Sequence, residues 1–215
     1  RLAEQNRSVV GPLDVGKVLA DPKSKVHLIC RWTDGDSGHD KWIASVEGPN
    51  GERVSAMVHK PPHGNPQDWL RAKNDLAAQE LAKFMKSPEL FPSTVMRDGM
   101  MVQAFVGNQG ENVATFLHER SRQDAALRAQ EPHLDKRIEK LLAKDPILRQ
   151  RVAEGVAFSL LLGDHDHHGM NFVINRDGAG PNDFHIARID TDYAFSKEKT
   201  PNMNQAGNFG SVING

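Results

Sequence analysis

Strand-like apolar runs concentrate between residues 25 and 106, around a single helical stretch, and apolar residues at helical spacing follow over 113–162. This segregation limits the fold more than any other feature, because strands grouped before helices imply an α+β chain rather than alternating βα units. Strands are predicted over 25–32, 41–46 and 53–60. The last two are joined by Pro49-Asn50-Gly51-Glu52, whose Asn-Gly step is a strong hairpin signal. The third run alternates Val54, Ala56 and Val58 and stops at Pro61-Pro62, which cannot continue a central strand. A helix is predicted over 65–85 from the spacing of Leu70, Leu76, Ala77, Leu81 and Phe84. Two more strands follow, over 92–97 and 100–106, around the turn Asp98-Gly99. The expected organisation is an extension over 1–24, a small lobe over 25–107 with five antiparallel strands and one helix, and a mainly helical large lobe over 108–215.

Three helices are predicted in the second half, over 113–128, 133–144 and 146–162, with Pro146 near a first turn. The last becomes almost continuously apolar at 156–162, which predicts a buried end, and it stops at Gly163. Strands over 171–175 and 184–189 are expected to pair as a hairpin. Residues 1–24 read as a loosely attached extension, with helix-compatible pieces broken by Gly11-Pro12 and Pro22, and the Gly/Asn-rich stretch 196–215 carries no predicted structure. The missing initiating Met reads as a trimmed start, and the short stretch after Phe195 as a minimal or truncated large lobe.

Composition removes several function classes. With 27 basic and 28 acidic side chains the formal charge is −1, so no global field draws nucleic acid or an anionic membrane, and no nucleic-acid partner is expected. An apolar content of 38% implies a modest core. The single Cys30 excludes an intramolecular disulfide and a Cys-based zinc site, and its apolar run 27–30 predicts a buried thiol. No apolar stretch approaches the ~20 residues of a membrane helix, and no secretory signal is present, so a soluble, cytoplasmic protein is expected.

The chemistry concentrates in Leu162-Gly163-Asp164-His165-Asp166-His167-His168-Gly169-Met170-Asn171-Phe172-Val173, where five ionisable side chains lie between an apolar helix and a strand. Catalytic groups gather on loops held by rigid elements. Phosphoryl transfer needs a carboxylate to orient the attacking hydroxyl and an oxygen ligand for Mg²⁺. Asp166 and Asn171 fit those roles, at the spacing found in kinase catalytic loops. The hairpin returns its second strand to Arg188-Ile189-Asp190-Thr191-Asp192, so Asp190 is expected beside Asn171, where two hard oxygen ligands can share a cation.

Residues 163–172 resemble the catalytic loop of HipA-like kinases and of the phosphatidylinositol 3- and 4-kinases, in which Asp-x-His-x-x-Asn follows a Gly-led turn. Ile189-Asp190 with Phe195 is similar to the metal-binding Ile-Asp-Phe-Gly segment of the lipid kinases, with Thr191-Asp192 in place of Phe-Gly, and several bacterial effector kinases use similar loops. The resemblance implies a protein-kinase-like fold, ATP and Mg²⁺ as cofactors, Asp166 as catalytic Asp, His168 as the loop histidine, and Asn171 and Asp190 as metal ligands. It covers about 35 residues. A protein Ser/Thr substrate is expected, with a phosphoinositide as the alternative, in a cytoplasmic or host-cytosol setting.

The element order agrees with a kinase small lobe. Lys60 ends the third strand and Glu80 lies on the following helix; such a pair positions the α/β-phosphates in kinases, so Lys60 is expected to contact phosphate and Glu80 to hold Lys60. Asp75 and Glu89 are rival acids, and a solvated strand-end lysine is the alternative for Lys60. The turn 34–40 stands where a Gly-rich loop would cover the phosphates, with Gly35, Ser37 and Gly38 offering backbone amides. Gln103, Ala104 and Phe105 are expected near adenine, although an ordinary core strand explains the apolar pair equally well. The rival readings are a metallohydrolase using His165, His167 and His168, a kinase-fold binding module, a kinase fold that transfers another group, and a merely solvated turn.

Overall fold

The computed structural model describes residues 14–32, 40–60, 66–106, 112–163, 169–176, 183–191 and 194–195. The chain is α+β. A five-stranded antiparallel sheet comes first, a helical region follows, and a two-stranded sheet closes the described part.

The large sheet contains β1 (Lys25–Arg31), β2 (Asp40–Glu47), β3 (Arg53–Lys60), β4 (Thr94–Arg97) and β5 (Met100–Ala104), in the spatial order β1-β2-β3-β5-β4. Cross-strand pairs Lys41↔His59, Trp42↔Val58 and Val58↔Val102 fix which side chains share a face. One face carries Ala44, Val46, Val54, Ala56, Val58, Val102 and Ala104 and packs against α1 (Val15–Ala20), which presents Val18 and Leu19. Part of the expected loose extension therefore belongs to this core, and residues 1–13 lie outside the described residues. Arg97 fastens the link from α1 to β1 by donating to the carbonyls of Asp21, Pro22 and Ser24. The opposite face, with Ile43, Ser55, Met101, Gln103 and Thr94 buried, receives α2 (Pro66–Phe84), whose Gln79 side chain accepts the Thr94 N–H.

Cys30 departs from expectation. It is exposed, because β1 is an edge strand whose pairing with β2 is irregular between Leu28 and Cys30, and Ile29 there is exposed as well. Bulges are a common way of blunting a sheet edge.

In the helical region the expected single helix over 113–128 is two, α3 (Val113–Gln123) and α4 (Ala125–Gln130). Asp124 breaks the run: its backbone is extended and its carboxylate accepts the Leu127 N–H at 2.8 Å, the capping that short acidic side chains favour over helix interiors. Then come α5 (Leu134–Lys144) and α6 (Pro146–Leu161), the latter capped by Asp145. The apolar end of α6 is buried on one side only. Phe158 and Leu162 are covered, whereas Leu160 and Leu161 are exposed. Among the described residues, no helix is long and apolar enough to cross a membrane.

The hairpin of β6 (Phe172–Arg176) and β7 (Phe184–Arg188) supplies Phe172, Ile174, Phe184 and Ile186 to the core built by α3 to α6, and the Phe116 and Phe184 ring centroids are 5.5 Å apart. Gly155 lets α6 approach this hairpin closely, since a Cβ there would lie 3.1 Å from Ile186 Cγ2 and 3.4 Å from Phe172 Cδ1. Gly155→Val overpacks the contact and is expected to destabilise the fold by about 2 kcal/mol. Gly155→Ala is expected to stay near neutral, as the tight contact offsets a helix-propensity gain of about 1 kcal/mol. Urea unfolding of both variants checks this.

Candidate functional site

The hairpin brings its two ends together beside the large sheet. Ile189 N–H donates to the Asn171 carbonyl at 2.9 Å, so Asn171, entering β6, and Asp190, two residues beyond β7, occupy the same end of the ribbon. The fully buried Arg188 reinforces this end. Its guanidinium donates to the carbonyls of Asn171, at 3.0 Å, and Ile189, and lies 5.2 Å from the Phe172 ring centroid.

Asp190 adopts φ +57°, in the left-handed region. For a residue with a Cβ this costs roughly 1–2 kcal/mol relative to right-handed backbone, and such residues persist where surrounding contacts over-determine them, often at functional sites. The contacts on both sides of Asp190 are strong. Before it stands the Arg188–Asn171 network. After it, Thr191 donates both its N–H (3.2 Å) and its hydroxyl to Asp75 Oδ1, a buried carboxylate on α2. Further on, Ala194 N–H donates to the Thr191 carbonyl and Phe195 N–H to the Leu162 carbonyl at the end of α6.

The Asp190 side chain is 41% exposed and points to the sheet: its Oδ2 lies 3.8 Å from Lys41 Nζ on β2, a side chain only 17% exposed. An ammonium from the sheet and a carboxylate from the hairpin therefore face each other across the junction of the two halves. The Asp190 carboxylate is a hard oxygen donor of the kind Mg²⁺ prefers, Asn171 brings an amide oxygen to the same end of the ribbon, and the lysine facing Asp190 suits an anionic ligand. The donor set fits a Mg²⁺–phosphate group.

The other expected site residues fall differently. Lys60 shares the α1-facing side of the sheet with Trp42 and Val58, with its ammonium 5.2 Å from the Trp42 ring centroid. Glu80 is bound by Lys83 on its own helix, at 2.7 Å, and its side chain is 67% exposed; the Lys83 hydrogen bond holds its carboxyl below the usual carboxylate range. The expected Lys60–Glu80 pair is thus not made, because the two residues point away from each other. Gln103 is buried beneath the sheet and donates to Thr94 Oγ1 at 3.2 Å, while Phe105 continues β5 through an N–H bond to the Ser55 carbonyl. Gly35, Ser37, Gly38, Asp166 and His168 lie outside the described residues, as do His165 and His167.

The sequence pattern pointed to Lys60 rather than to Lys41, the lysine that faces Asp190, and to Glu80 ahead of Asp75. The signals were present. Lys41 alternates with Ile43 and Ser45, opposite to the Ala44/Val46 face, and Asp75 shares the helical face of Ala78, Gln79 and Ala82, all buried. No protein-family model matches the chain, and no curated protein matches it in sequence.

Proposed function

We propose that the chain is an ATP- and Mg²⁺-dependent phosphotransferase, an atypical protein Ser/Thr kinase with a two-lobed, kinase-like arrangement. The observation that carries this reading is Asp190: a carboxylate in left-handed backbone at the end of a hairpin, beside Asn171 and facing the Lys41 ammonium of the sheet. The antiparallel sheet with α2 after its third strand, followed by the helical half, supports the two lobes.

In this reading ATP lies between the halves. Lys41 takes the phosphate-contacting role expected of Lys60, and Asn171 and Asp190 hold the cation. Bound Mg²⁺ neutralises charge on the phosphates and so favours their transfer. The substrate hydroxyl oxygen bonds to the γ-phosphorus as the bond to the β,γ-bridging oxygen breaks; ADP leaves, and Asp166 orients the hydroxyl and accepts its proton. Asp166 enters on the sequence pattern of its loop, with Asn171 five residues on.

Incubation of the protein with Mg²⁺, a cell lysate and ATP labelled at either the α or the γ position tests this. Protein phosphate labelled only from the γ position is expected. Label from the α position identifies nucleotidyl transfer, label entering phosphoinositide identifies a lipid substrate, and absence of any ATP turnover removes the phosphotransferase reading.

A further inference from the structure

We infer that Asp75 and Thr191 are positioning residues for the cation site, and that they tie the placement of Asp190 to helix α2. The inference rests on the phosphotransferase reading and goes beyond it, because neither residue would touch nucleotide or metal.

The hydrogen bonds between them join residues 116 positions apart in the chain and are buried. A buried carboxylate is costly unless it is hydrogen-bonded, and Asp75 Oδ1 receives two donors from the single residue that follows Asp190. The Thr191 backbone N–H is one of them, so the bond acts on the main chain at the step where Asp190 takes its left-handed conformation. On the other flank, Arg188 and Asn171 fix the Ile189 peptide. Asp190 is held between these anchors, one within the hairpin and one on α2. Because α2 also grips the sheet through Gln79 and Thr94, the anchor from Asp75 keeps Asp190 in register with the sheet that carries Lys41. Partners that orient a metal ligand commonly change metal affinity by 10–100-fold when removed.

Mn²⁺ affinity measured by electron paramagnetic resonance, with a non-hydrolysable ATP analogue present, tests the inference without depending on turnover. Thr191→Val removes the hydroxyl at constant shape and is expected to weaken Mn²⁺ binding about tenfold or more. Thr191→Ser keeps the hydroxyl and is expected to bind as the wild type does. Asp75→Asn, which keeps an acceptor oxygen but loses the charge, is expected to fall between them, and it decides the matter if Thr191→Val does not fold. Asp190→Asn serves as the control for the site itself. If Asp190→Asn abolishes binding while Thr191→Val and Asp75→Asn, both folded, bind like the wild type, the positioning role is wrong and the phosphotransferase reading stands. If the wild type binds no Mn²⁺–nucleotide, both fall together.

Discussion

Asp190→Asn is expected to fold like the wild type and to lose ATP turnover by about 100-fold or more. The expected loss follows from removing the charge of the proposed metal ligand: a bound cation contributes several kcal/mol of charge stabilisation to phosphoryl transfer, and each 1.36 kcal/mol is a tenfold change in rate. Asn is the informative substitution because Asp190 sits at φ +57°. Asn tolerates left-handed backbone at least as well as Asp, so the variant removes the charge without adding strain, whereas Ala mixes the two effects. Thermal unfolding alongside steady-state ADP release separates them. A folded Asp190→Asn protein with wild-type turnover would remove Asp190 from the proposed mechanism.

Lys41→Met is expected to act in opposite directions on the proposed ligands. Nucleotide affinity should fall about 10–100-fold, because hydrogen bonds to charged groups contribute about 1.5–3 kcal/mol. Without nucleotide, divalent-cation binding should strengthen, since the Lys41 ammonium otherwise faces the same carboxylate from 3.8 Å away. Lys60→Met is the comparison. Lys60 lies over Trp42 on the face that packs against α1, so its loss should leave nucleotide affinity within about twofold while trimming a cation–π contact of about 0.5–1 kcal/mol. Calorimetric titration with the Mg²⁺ complex of an ATP analogue reads both variants. Equal losses in the two would contradict the placement of Lys41 at the phosphates.

These contrasts show what the amino-acid sequence discloses and what it withholds. Alternating Val54, Ala56 and Val58, the Asn50-Gly51 turn and the Pro61-Pro62 stop made β2 and β3 legible to within a residue or so, and the hairpin of β6 and β7 was legible for similar reasons. Helix α1 was legible only as a helix-compatible piece, and its docking was not, since Val18 and Leu19 are too few to show a period and the sheet face they cover is specified elsewhere in the chain. Asp124 reads as an ordinary helix-surface acid until its capping bond shows the chain bending there.

At the candidate site the same distinction holds. Asn171 and Asp190 were expected at one end of the hairpin from local spacing, and the ladder places their backbones there. The lysine and the acid from the first half depend on the phase of β2 and α2 against distant partners. Lys41 and Lys60 both stand near strand ends, and only the register Lys41↔His59 and Asp40↔Lys60 assigns them to opposite faces. On α2, Glu80 lies about 140° around the helix axis from Asp75, a rotation that separates the exposed face from the buried one.

In the proposed reading one cation binds at the end of the hairpin shared by Asn171 and Asp190, opposite Lys41. Nuclear magnetic resonance of the labelled protein, titrated with substoichiometric Mn²⁺ and an ATP analogue, locates that cation through paramagnetic broadening. The backbone amide signals of Lys41, Asn171, Phe172, Ile189 and Asp190 are expected to broaden first. Broadening centred elsewhere, with those five signals still sharp, would contradict it.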